Sequence, residues 1–256
     1  MRELLAPLAE LSGQGEDWLW TAFLVFLRVG AVMALLPGFG EQVVPMRVRL
    51  AATVAFTAIV LPAVADGLGQ GNPVLQAAGE VAAGLILGTG LRLLVLALQT
   101  AGAIAAQATS LAQLFAGAEA EPQPAIGHVL TVAGLALAMA AGLHVKVAAL
   151  LVLSYQLLPA GQMPAAGEAA AWGTGAAGHC FALAFSLAAP FVLASTVYNL
   201  ALGAINRAMP QLMVSFIGAP ALTAGGLVLL VLAAPAALTI WRAALDSFLA
   251  SPLALP

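Results

Sequence analysis

The sequence predicts an all-α, polytopic integral membrane protein, and three observations carry that prediction. Of 256 residues, 62% are hydrophobic and only 7% charged, with a mean hydropathy of +1.04. Soluble domains carry about 25% charged residues, so a water-facing surface cannot be built from this chain. The apolar runs are continuous over about 20 residues, the length of a membrane-crossing helix, and do not alternate in the short segments of a β-barrel. About six segments reach spanning length, several of them broken or hairpin-like, within a single membrane domain over residues 1–256. That domain is read as an N-terminal segment (1–17), a first helical half (18–115), a polar loop (116–127), a second helical half (128–245) and a short tail (246–256).

Taken in order, residues 1–17 are not expected to form a signal peptide, because Pro7 and Glu10 interrupt the apolar part and Glu3 offsets Arg2. The first apolar run is Trp18 to Leu36, with Arg28 inside it and two tryptophans at its start that suit an interfacial belt. A connector holding Pro45, Arg47 and Arg49 leads to the second run, Leu50 to Ala65. Val74 to Phe115 contains Glu80 and Arg92 and is too long for one span, so it is expected to be one long bent helix or a tight hairpin. Gly84 and Gly88 form a GxxxG within it, and Gly102 with Ala106 repeats the spacing, which lets helix backbones approach closely. Ile126 to Leu158 is expected to break near His144 and Lys146, Ala169 to Met209 to form two helices around Pro190, and Gln211 to Ala234 to end at Pro235.

Charges inside apolar runs are the informative residues. Arg28, Glu80, Arg92, His144 and Lys146 would be costly against lipid, so their helices are expected to face protein, with opposite charges paired there. The acidic N-terminal segment and Arg47 and Arg49 in the first connector predict an outside N-terminus and an inside first connector. From Asn199 to Pro220, Asn199, Gly203 and Arg207 recur every four residues on one helical face before Pro210 breaks the helix, with Asn206 and Gln211 beside them. Arg207 is the only charge between Glu168 and Arg242, so it is expected to be paired, capped by carbonyls or facing a polar cavity.

Catalytic patterns are missing from the sequence. No serine has a G-x-S-x-G context, there is no H-E-x-x-H and no nucleotide-binding glycine loop, and His128, His144 and His179 lie on separate segments. No enzyme activity, cofactor or metal is expected. A net charge of −3 without a basic run excludes nucleic acid as a partner, and the single Cys180 reads as a small core residue.

The stretch NLALGAINRAMPQLMVSFIGAP resembles the signature of the FliR family, export-gate subunits of the bacterial flagellar type III secretion apparatus. FLVFLRVGAVMALLPGFGEQVVPMRVRLAATVAF from Phe23, EVAAGLILGTGLRLLVLALQTAGAIAAQ from Glu80, and His144 with LPAG from Leu158 are similar to further motifs of that family, in the family's order. The loop reading AEAEPQP departs from the family's aspartate–proline pair, and Gly142 and Leu143 replace an asparagine–glycine before the histidine.

The resemblance implies a structural subunit packed by small-residue faces against partner helices in a helical hetero-oligomeric export gate. The partners it implies are the flagellar P and Q subunits, the B and A export components, and unfolded flagellar proteins in transit. The implied place is the bacterial inner membrane at the flagellar basal body. It also implies a gate loop over about Gln107 to Glu121, in which Leu111, Leu114 and Phe115 would seal the closed channel and Glu119 and Glu121 would mark its polar part. The homologous subunit of a virulence-type injectisome is the alternative within the resemblance. A stand-alone secondary transporter is the alternative outside it, disfavoured because no second copy of the NxxxGxxNR pattern occurs.

Overall fold

The computed structural model describes residues 2–40, 44–65, 72–109, 125–209 and 214–254. Seven helices and no strands occur among them: α1 (Arg2–Leu35), α2 (Met46–Val64), α3 (Pro73–Thr109), α4 (Ala125–Ala140), α5 (Leu143–Leu157), α6 (Ala166–Ala208) and α7 (Val214–Ala250). Five of them are long and apolar enough to cross a membrane, or six if α4 and α5 count as one broken span. The all-α, polytopic expectation therefore holds.

Several boundaries differ from expectation, and proline explains most of them. α6 runs unbroken through Pro190, α7 through Pro235 and α2 through Pro62. A proline removes one backbone hydrogen bond, but in an apolar medium unravelling the helix would orphan many more, so the helix continues. α1 likewise extends back to Arg2, through residues expected to lie outside the first helix. α3 is one helix as far as Thr109. The break between α4 and α5 falls at Gly142, whose φ of 78° is left-handed, while His144 and Lys146 lie inside α5. α6 ends at Ala208, two residues before Pro210, as expected for a residue whose successor disfavours helical backbone.

The helices divide into two compact units. Unit 1 comprises Met1–Arg92, Gly142–Gly175 and Phe248–Leu255, and unit 2 comprises Leu93–Ala141, Ala176–Ser247 and Pro256. In unit 1, α2 packs on α1 and α5. The buried face of α2 carries Thr53 and Thr57, whose hydroxyls donate to the carbonyls of Arg49 and Thr53, each at 2.8 Å. This back-bonding lets a polar side chain enter an apolar contact without an orphaned proton.

The first part of α3 runs beside α1 in the same direction. Trp20 meets Gln76, Arg28 meets Glu80, Gly84 faces Arg28 and Ala31, and Gly88 faces Leu35. A methyl group on Gly84 would lie 2.5 Å from the Arg28 carbonyl oxygen and 2.7 Å from the Ala31 Cβ, so only hydrogen fits there. The GxxxG face thus serves a contact inside the chain rather than one with a partner helix.

Unit 2 is built around Trp241, which is 1% exposed and donates its indole N–H to the Leu94 carbonyl at 2.7 Å. Leu98, Leu130, Leu187 and Phe191 are buried in the same unit. Cys180 is also buried, with its thiol on the Leu93 carbonyl at 3.1 Å. In an apolar interior the remaining polar hydrogens of Trp and Cys find backbone carbonyls.

Candidate functional site

Unit 1 holds a buried ionic cluster assembled from three helices and a turn. α1 supplies Arg28, α3 supplies Glu80, α5 supplies Ser154 and Tyr155, and the α5–α6 turn supplies the Leu158 carbonyl and the Gly161 amide. Arg28 is 1% exposed and Glu80 is fully buried.

The Arg28 guanidinium grips the carboxylate with two bonds, Nε to Oε2 at 2.7 Å and Nη2 to Oε1 at 3.1 Å. Nη1 donates to Ser154 Oγ at 3.1 Å, Nη2 also donates to the Leu158 carbonyl at 3.0 Å, and the guanidinium carbon sits 3.7 Å from the Tyr155 ring centroid. The Tyr155 hydroxyl donates to Glu80 Oε2 and the Gly161 N–H to Oε1, each at 3.1 Å.

Each Glu80 oxygen therefore accepts two bonds, which saturates a carboxylate. No buried side-chain nitrogen or oxygen lacks a partner among the described residues. That completeness makes two charges tolerable in a low-dielectric interior, where an unpaired arginine would cost about 2.5–3.5 kcal/mol even on insertion scales. Gly161 reaches Glu80 through a left-handed φ of 72°, a conformation that favours glycine.

The cluster cannot do nucleophilic chemistry. The Ser154 hydroxyl accepts from Arg28 and donates to the Leu151 carbonyl at 2.6 Å, which leaves no base to activate it. Among the described residues no three His, Cys, Asp or Glu side chains are grouped to hold a metal. What the arrangement can do is fix α1, α3, α5 and the following turn in one register.

The other singled-out residues stand elsewhere. Arg49 donates from Nε to the Phe39 carbonyl at 3.0 Å and pins the first connector, whereas Arg47 is exposed. Arg92 and Lys146 are half-buried and His144 is exposed. Gln107 is exposed in the last turns of α3, while Leu111, Leu114, Phe115, Glu119 and Glu121 lie outside the described residues.

Asn199, Gly203, Asn206 and Arg207 are all exposed at the end of α6, and Pro210 and Gln211 lie outside the described residues. A methyl group on Gly203 would meet nothing within 4 Å. Among the described residues Arg207 has no ion pair.

Sequence reasoning singled out Arg28 and Glu80 separately but missed Tyr155, Gly161 and the Leu158 carbonyl. A tyrosine after a serine in an apolar run carries no pattern of its own. The glycine of LPAG was a visible turn signal with no visible partner.

The model of the bacterial export proteins, family 1, matches residues 19–248. The flagellar biosynthetic protein FliR of Caulobacter vibrioides is 35% identical over 240 residues, 90% of this chain and 96% of that protein. The protein of the same name from Escherichia coli is 29% identical over 217 residues, 82% of each chain. That from Bacillus subtilis is 27% identical over 224 residues, 83% of this chain and 86% of that protein.

Proposed function

From its membership of the bacterial export proteins, family 1, in which this chain belongs with the FliR proteins, we propose that it helps to form and seal the flagellar type III export channel. At the coarser level it is a multi-pass membrane subunit of the flagellar export apparatus and a structural component, not an enzyme. The finer reading places it in the inner membrane at the basal body, beside the P and Q subunits and in reach of the B and A export components. Unfolded flagellar proteins would pass through the assembly they form. The relatives named above all carry the flagellar name, which favours this branch over the injectisome.

The observation that carries the proposal is the exposed end of α6. A helix face bearing Asn199, Gly203 and Arg207 stands uncovered, whereas the charges buried among the described residues, Arg28 and Glu80, are fully satisfied within unit 1. A lone cation with amides and open small residues around it is a poor lipid-facing surface and a good one for polar, close packing against sister helices. The segment from Gln107, in the last turns of α3, to Glu121 would close the resting channel, with Leu111, Leu114 and Phe115 excluding water by constriction.

The decisive experiment is affinity purification of the full chain from its native membrane, with the co-purifying proteins identified, alongside deletion of its gene. Co-purification of the P and Q subunits and non-motile cells lacking flagella are the expected results. A chain recovered alone, from cells that still swim after its loss, would refute the proposal.

A further inference from the structure

In unit 2, α6 carries a seam that nothing in the chain covers. From Gly178 to Asn206, positions reached by alternate steps of four and three residues are exposed or half-buried at every step. That spacing, about 3.5 residues per turn, keeps them in line when a second helix winds along the first. The seam rises about 42 Å.

Its side chains are mostly small. Gly178, Ala182, Ala189, Thr196 and Gly203 lie on it, Phe185 and Val192 are its bulky members, and Asn199 and Asn206 bring amides to its end. The Thr196 hydroxyl donates to the Val192 carbonyl at 2.7 Å, so it needs no further acceptor. A methyl group on Gly178 or Gly203 would meet nothing within 4 Å. At Gly84, by contrast, α1 already fills the space that the glycine leaves.

The two borders of the seam differ. On one side Ala188 and Ser195 are buried. On the other, Leu193 and Leu200 are 66% and 71% exposed. Arg207 continues that border at the same seven-residue step, exposed and without an ion pair among the described residues. A fluid acyl chain imposes no period on the helix it touches, whereas a line of small residues lets another backbone come close. A cation on the border is complemented by an anion at one fixed place along that neighbour.

We propose that this seam takes one helix of a sister subunit, an assignment that presupposes the export-subunit reading. The incoming helix winds along α6 at a shallow left-handed crossing. It sets bulky apolar side chains over Gly178, Ala182 and Gly203 and presents an Asp or Glu to Arg207.

The test replaces Leu193 or, separately, Leu200 by photoreactive p-benzoylphenylalanine in the full chain. Crosslinking is done in the native membrane, and the residues captured are mapped by mass spectrometry. Both positions should reach the same helix of the same sister subunit, at points about seven residues apart, with a carboxylate about seven residues further along, level with Arg207. Crosslinks to lipid alone, to this chain itself, to two different subunits or to a helix without that carboxylate would overturn the proposal. Gly178→Leu and Gly203→Leu fill the seam from outside the fold. They should leave the melting of the isolated chain unchanged yet lower recovery of the sister subunit about tenfold or more. Arg207→Glu should lower it too, and replacing the mapped carboxylate by lysine should restore it. Undiminished recovery with the leucine variants, or no rescue by the reversed pair, would overturn the proposal while the parent chain still brings its subunits. A parent chain that brings none would refute the export reading, and the seam with it.

Discussion

Arg28 and Glu80 close a two-pronged ion pair across 52 residues of sequence, with bonds of 2.7 and 3.1 Å and almost no exposure of either side chain. Removing one partner leaves a buried charge and up to four broken bonds. Arg28→Met or Glu80→Met should each destabilise the detergent-solubilised chain by about 3–5 kcal/mol. The double variant removes both charges and should cost less than the sum of the singles by about 1–3 kcal/mol. Thermal unfolding followed by size-exclusion recovery measures this, and strictly additive losses would show that the two charges do not depend on each other.

Helix proximity at Gly84 gives a second prediction with a built-in control. Gly84→Ala pushes a methyl group into the backbone of α1 and should destabilise the isolated chain by about 1–3 kcal/mol. Gly203→Ala points into open space and replaces the poorer helix former, so it should be neutral or stabilising by up to about 1 kcal/mol. The two substitutions should therefore shift the melting temperature in different directions, and equal shifts would contradict the close approach of α3 to α1.

Arg207 separates folding from assembly. Because it is exposed at the end of α6, Arg207→Leu should leave the stability of the isolated chain within about 0.5 kcal/mol of unchanged. The same variant should reduce co-purification of the export partners and the spread of cells in soft agar. Normal assembly and swimming would remove Arg207 from the partner surface.

The gate loop is tested by leakage. Phe115→Gly removes a large apolar side chain from the proposed constriction and should raise ion conductance across the membrane while the complex still assembles. Conductance unchanged from the parent would place the seal elsewhere.

The helical class was legible because scarcity of charge and uninterrupted apolar runs are properties of the chain itself. Pro190 and Pro235 misled because the penalty for proline was weighed in isolation, whereas the medium around the helix decides whether breaking it would cost more. Arg28 and Glu80 were each conspicuous as charges among apolar residues, but partnership is a property of two helices meeting, which periodicity cannot reveal. Tyr155 was invisible for the same reason: its hydroxyl and ring matter only because Arg28 and Glu80 arrive from α1 and α3. Gly84 and Gly88 announced a close approach without saying whose backbone would approach, and it is that of α1.

The side-by-side course of α1 and α3 imposes a delay during biosynthesis. Arg28 leaves the ribosome well before Glu80, and 52 residues take about 3–10 s to make at about 5–20 residues per second. Through that interval the guanidinium has no carboxylate of its own to grip. The nascent α1 must wait beside water, lipid phosphate or the insertion machinery until the third helix is delivered.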